Sequence, residues 1–273
     1  MANTGTVKFF TRSKTLISDG AIAEANSGEN SVNNILSFDR DNYWQSIDET
    51  DGSISNISIQ LSKQSPINRL LIVDTNIKQV SITFDRPITF ASDIDNNDIA
   101  VPIIYQNSNN VMYFEFDTIS PITVDLSFSE TIIPNQRKYI RQIILAQEIG
   151  NFIGFPTVRG FSDSFNEVVT KSSTGVKHVT KQLRIMDKFK LSFRAYPVKE
   201  DIDLSNKLFE SRESFTLWPS GGGYGSNHFL FPTEGWQLDN IYNVQTTGRK
   251  PYLWYKNFYK SGVSTSLNMI EVV

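Results

Sequence analysis

Apolar and polar residues alternate with a period of two along much of the first half of this chain. Ile57-Ser58-Ile59-Gln60-Leu61 is the plainest case, and such alternation is what a strand with one buried face requires. Pro66 to Val73 and Gln79 to Phe84 read as the next two strands. Ala100 to Tyr105, Val111 to Phe116 and Ile122 to Phe128 follow, separated by Asn-rich or Pro-containing turns such as 106–110. Short strands at even spacing predict an all-β sandwich or barrel. Tyr139 to Glu148 fits neither the helical nor the strand period cleanly, and we read it as the strand that closes this first unit.

The texture changes after Gly150. Residues 151–156 mix turn formers with aromatics and mark a boundary, so the chain is expected to hold two domains, 1–150 and 151–273. Residues 163–181 are polar and rich in Ser, Thr and Lys. Phe189 to Tyr196 alternates strictly and predicts a strand. Asp201 to Glu210 opens with two acids, closes with a lysine, and sets Ile202, Leu204, Leu208 and Phe209 mostly on one side of a short helix. Further β segments are predicted at 214–219, 235–238, 241–245 and 252–259. The second domain therefore reads as β-rich with one short helix.

Composition narrows the function classes. The 273 residues suffice for two ordinary cores, are 12% aromatic, and at 20% charged fall below the roughly 25% of a typical globular chain. A net charge of −3 argues against nucleic acid as a partner, since phosphate recognition leaves a basic footprint. With no cysteine, there is no disulfide framework and no thiol chemistry. Residues 1–10 carry no apolar core of the signal-peptide kind, and no apolar run approaches the 18 or so residues of a membrane span. The expectation is a protein made in the cytoplasm without Sec-type export, and no membrane partner.

Catalytic chemistry finds little footing. His178 and His228 stand about fifty residues apart without metal-ligand spacing, and no G-x-S-x-G elbow occurs. Asp93-Ile94-Asp95-Asn96-Asn97-Asp98 has oxygen ligands at alternate positions but lacks the central glycine and distal glutamate of an EF-hand. A turn that caps its own backbone is the expectation there, and also around Asp39 and Asp41. No catalytic residue, metal or cofactor is expected. The run Gly221-Gly222-Gly223-Tyr224-Gly225 ends without Lys-Ser or Lys-Thr, so it is no phosphate loop. Glycine lets a backbone approach another molecule closely, and aromatics supply apolar contact at low entropic cost. Tyr224, Phe229, Phe231, Trp254 and Tyr255 are therefore the candidate partner-binding residues.

Two resemblances add to this. Asn33 to Asp39, the aspartate turn, Tyr43-Trp44 and the strands ISIQL and INRLLIV together resemble the discoidin or galactose-binding-like family, with Arg40 and Asn42 at places where that family has Gly and Thr. The resemblance implies a jelly-roll β-sandwich and a glycan-binding edge near Arg40, Tyr43 and Asp95. Trp44, between a turn and a strand, is expected in the core. The segments KYIRQIILAQEIGNFIGFP, FKLSFRAYPVKEDIDLSNKLFESRESFTLWPSGG and KPYLWYKNFY are similar to minor tail or baseplate proteins of tailed bacteriophages. That likeness implies a structural, non-enzymatic virion component, assembled in the host cytoplasm with other tail proteins and copies of itself. The alternative is a carbohydrate-binding module recognising a cell-surface glycan, and a glycan- or peptide-cleaving enzyme is the third reading.

Overall fold

Alternation appears in the structure as burial. In the strand Ser55–Gln60, Ser55, Ile57 and Ile59 are buried while Asn56 and Gln60 are exposed. The structure is a computed structural model that describes residues 7–38, 42–48, 50–151, 157–171, 177–193, 199–211, 213–218, 241–247 and 265–272. Its strands are β1 Lys8–Thr11, β2 Ile22–Ala25, β3 Trp44–Gln45, β4 Ser55–Gln60, β5 Ile67–Thr75, β6 Ile77–Phe84, β7 Ala91–Ser92, β8 Ile103–Gln106 and β9 Val111–Ile119. They continue with β10 Thr123–Thr131, β11 Tyr139–Ala146, β12 Glu148–Asn151, β13 Thr157–Lys171, β14 Lys177–Phe193, β15 Phe215–Trp218, β16 Tyr242–Thr247 and β17 Thr265–Glu271. Among the described residues one α-helix, α1, spans Lys199–Glu210. The chain is mainly β, as the alternation predicts.

Two five-stranded antiparallel sheets form a sandwich. One runs β2-β4-β10-β6-β8 and the other β3-β11-β5-β9-β7. Ile57, Ile59, Val80, Ile82, Val124, Leu126 and Phe128 from the first sheet meet Trp44, Leu70, Ile72, Met112, Phe114, Ile143 and Leu145 from the second in one buried cluster. Each such side chain contributes about 1.5–3 kcal/mol when fully buried, which is how alternation alone selects this architecture.

The second sheet is buried on its other face too. Leu71, Val73, Tyr113, Ile144 and Ala146 point away from the sandwich core and pack against Phe10, Leu16, Phe38, Trp218 and Ile241. This explains the ambiguous periodicity of β11. A strand covered on both faces reads as a continuous apolar run instead of an alternation. The faces also exchange within β11, because Ile140 belongs to the inner cluster and so do Ile143 and Leu145. The exchange lies opposite Asp74, whose φ is +51°.

A third, seven-stranded sheet runs β12-β1-β15-β16-β17-β14-β13. Strand β1 lies between β12 and β15, so the N-terminal end of the chain is paired with strands from the second half. Its two phenylalanines face opposite ways. Phe10 enters the cluster on the sandwich, while Phe9 joins Phe215, Leu217, Tyr242, Val244, Leu267 and Met269 beneath Leu204 and Leu208 of α1. The predicted short helix is therefore present, and its i, i+4 leucine pair covers the sheet. Residues 163–181, read from sequence as a polar stretch, lie largely in the hairpin of β13 and β14, where register is kept from Thr157↔Ser192 to Lys171↔Lys177 through two irregularities. The strands expected at 235–238 and 252–259, and the boundary at 152–156, fall outside the described residues.

Candidate functional site

The aromatic pair Tyr43-Trp44 divides its labour by strand alternation. Trp44 on β3 is fully buried, its ring 6.2 Å from that of Phe128, and its indole N–H donates to the Ser27 carbonyl at 2.9 Å. It is core, as expected. Tyr43 takes the opposite side and is 49% exposed. Its ring stands edge-on to Tyr139 at 6.3 Å with an interplanar angle of 70°, and Asn34 Nδ2 donates to its carbonyl at 3.1 Å. Beside Tyr139, Arg141 pairs with Asp74. The Tyr139 hydroxyl is pushed above the ordinary tyrosine range, first by burial and then by the Asp74 carboxylate, so it remains a proton donor at neutral pH. An exposed ring, braced by a tyrosine that itself lies beside an ion pair and with its backbone carbonyl held by Asn34, is thus built onto the β3 edge of the second sheet.

The other sequence candidates are placed differently. Asp95 is exposed in the turn after β7, at the opposite edge of the same sheet from β3. Four strand spacings of ~4.8 Å separate those edges by roughly 19 Å, so Tyr43 and Asp95 are not neighbours. Arg40, and the partner-binding candidates Tyr224, Phe229, Phe231, Trp254 and Tyr255, lie outside the described residues. The 93–98 turn caps itself. Asp93 Oδ1 accepts the backbone N–H of Asp95 and of Asn97, each at 2.9 Å, while Oδ2 accepts Asn97 Nδ2 at 2.9 Å. Among the described residues, no group of three or more His, Cys, Asp or Glu side chains is placed to hold a metal.

One end of the sandwich is filled by a cation of the protein's own. Lys138, just before β11, is fully buried, and its Nζ donates to the Thr50 carbonyl at 3.3 Å and to Ser53 Oγ at 3.1 Å. Burial lowers its pKa, and the neighbouring Asp51 and Asp48 act in the opposite sense. Asp51 in turn accepts from the backbone and hydroxyl of Thr131.

The opposite end carries a feature that sequence reading missed. Arg12, Lys14, Asp19, Ser62, Lys63 and Ser65, together with Glu213, Ser214, Gln245 and Val272, line a cleft of about 610 Å³ between the sandwich and the third sheet. The Arg12 guanidinium is fixed there by Asp19, with Nε to Oδ2 at 3.1 Å and Nη2 to Oδ1 at 2.9 Å. Its residues come from five separate stretches of chain, and no local pattern joins them.

No protein family and no curated protein matches this chain. Solved structures do. The galactose complex of the family 32 carbohydrate-binding module of NanJ from Clostridium perfringens matches 50% of this chain and 99% of its own length, at 15% identity and a TM-score of 0.36. A chitosan-binding module of a Paenibacillus chitosanase/glucanase matches 49% of this chain and 98% of its own, at 12% identity and a TM-score of 0.37. A further Clostridium perfringens module, in complex with GalNAc-β-1,3-galactose, matches 46% of this chain and 94% of its own, at 14% identity and a TM-score of 0.33. The β-sandwich assignment rests on the sheets themselves.

Proposed function

We propose that this chain is a carbohydrate-binding protein that acts by association without turnover, and that Tyr43 is the platform of its glycan site. The observation that carries this reading is the exposed Tyr43 ring, braced edge-on by Tyr139 beside Asn34 and the Asp74–Arg141 pair. The C–H face of a sugar ring is apolar and packs on an aromatic face, while its hydroxyls need donors and acceptors around that face. The sequence resemblance to galactose-binding-like sandwiches supports the same reading, and the solved modules named above are described with galactose, GalNAc-galactose or chitosan as ligands.

Tyr43→Ala tests it directly. Because the side chain is half exposed, the variant should unfold like the wild type while its affinity for a glycan identified on an array falls at least tenfold by calorimetry. Unchanged affinity would remove Tyr43 from the site. Assembly into a virion tail or baseplate, the leading expectation from sequence texture, draws on Tyr224, Phe229, Phe231, Trp254 and Tyr255, all outside the described residues. A glycan-binding sandwich is compatible with that setting, and nothing at Tyr43 depends on it.

A further inference from the structure

We propose that the cleft between the sandwich and the third sheet is a second ligand site, and that it takes an acidic saccharide bearing one carboxylate per sugar, of the hexuronate class. The charge pattern is the first argument. Among the described residues of the lining, Arg12, Lys14 and Lys63 stand with Asp19 and Glu213, and since Asp19 is engaged by the Arg12 guanidinium, two ammonium groups remain there against one carboxylate. Neither the Lys14 nor the Lys63 ammonium has a hydrogen-bond or ion-pair partner among the described residues. On a chain of net charge −3 the described lining of this cleft is locally positive, which concentrates anions there.

The second argument is preorganisation. The segment carrying Arg12 and Lys14 is fastened to β11, since Lys14 N–H donates to the Leu145 carbonyl at 2.7 Å and Thr15 Oγ1 to the Ile143 carbonyl at 2.7 Å. Arg12 is held by Asp19 and reaches Ser214 Oγ at 3.5 Å from the other wall. A ligand entering the cleft therefore meets a guanidinium that has already lost much of its freedom and a lysine whose backbone is held in place. The third argument separates sugar from phosphate. Ser62, Ser65, Ser214 and Gln245 offer hydroxyl and amide groups, and Glu213 a carboxylate acceptor, to a hydroxyl-rich molecule, contacts that a bare phosphate cannot fully use. At about 610 Å³ the cleft falls within the range of about 300–1,000 Å³ typical of small-molecule sites. That the anion is carried on a sugar rests on the glycan-binding reading above; the attraction of a carboxylate to the cleft does not.

The test is calorimetry of the full chain with trigalacturonic acid, its methyl ester and inorganic phosphate, in low salt. The acid should bind at least tenfold tighter than the ester, phosphate should compete weakly, and a Lys14→Gln, Lys63→Gln double variant should lose tenfold or more. Lys63 is exposed and Lys14 half-buried, so the double variant should keep its fold, which its unfolding curve checks. Tyr43→Ala should leave the affinity for the acid unchanged. Equal binding of acid and ester, wild-type affinity in the double variant, or phosphate binding as tight as that of the acid would each overturn the proposal. If Tyr43→Ala abolishes binding of the acid and the lysine variant does not, the acidic sugar sits at the Tyr43 edge; the cleft proposal then falls and the glycan-binding reading stands.

Discussion

Gly28 is the residue on which the Tyr43–Trp44 edge depends. Its φ is +69°, and a Cβ placed there would lie 2.1 Å from the Gln45 carbonyl oxygen and 3.0 Å from Trp44 Nε1. The backbone of β3 must therefore pass against a residue without a side chain, and the left-handed conformation independently favours glycine. Gly28→Ala should cost about 3 kcal/mol or more, since strain at such a position is worth roughly 1–3 kcal/mol before any clash with backbone. Nothing lies within 4 Å of a Cβ at Gly52, so Gly52→Ala serves as the control and should stay within about 0.5 kcal/mol of wild type. Chemical denaturation of the two variants measures both. Equal stability would mean that β3 can shift without loss, and the platform reading of Tyr43 would lose its rigid support.

At the scale of elements, the turn from β6 to β7 is pinned by one carboxylate on β9. Asp117 Oδ2 accepts from the Thr89 hydroxyl, from the Thr89 N–H at 2.8 Å and from the Phe90 N–H at 3.1 Å. The Thr89 hydroxyl first, and the backbone donors with it, hold this carboxyl below the ordinary aspartate value. A depressed folded-state pKa means that the unfolded chain binds the proton first as pH falls. The contribution is complete above the unfolded value of about 3.9 and is lost as pH drops through the folded one. Asp117→Ala should therefore be less stable than wild type at neutral pH and indistinguishable from it in strong acid. Denaturation curves across that range show it; a constant difference at every pH would place the effect in packing rather than charge.

For the molecule as a whole, the junction between sandwich and third sheet combines apolar packing with a charge cluster of two buried cations and two half-buried carboxylates. Arg69 Nε donates to the Tyr113 hydroxyl at 2.7 Å, its Nη2 pairs with Glu115 at 3.0 Å and with Glu148, and Lys8 Nζ lies 4.8 Å from the centre of the Tyr113 ring. Burial lowers the pKa of Lys8 and raises that of Tyr113. Two cations and two carboxylates balance there, an arrangement costly to break by halves. We propose that the sandwich nevertheless folds by itself, because its inner cluster is complete without any residue beyond Leu145. A chain of residues 12–147 should keep Trp44 fluorescence buried and unfold cooperatively. It should also bind a hydrophobic dye, because Leu71, Val73, Tyr113, Ile144 and Ala146 lose Phe10, Trp218 and Ile241 from their cover. Loss of cooperative unfolding would show the two halves to be one folding unit.

Local pattern determined the part of this protein that depends on neighbours in sequence. The alternation in β4, β6 and β10, the buried Trp44 and the leucine pair of α1 are legible because one buried face imposes one period. The short edge strands β3 and β7 are two residues each, too brief to hold a period, and β1 carries the adjacent Phe9 and Phe10 because it is covered on both sides. Tyr43 was legible as a candidate from its place beside a buried Trp, while its brace from Tyr139, nearly a hundred residues on, was not. The cleft was invisible for the same reason. Arg12, Lys63, Glu213, Gln245 and Val272 acquire a common surface only when strand pairing and apolar burial bring five distant segments together, and those forces act mainly on residues other than the ones that line it.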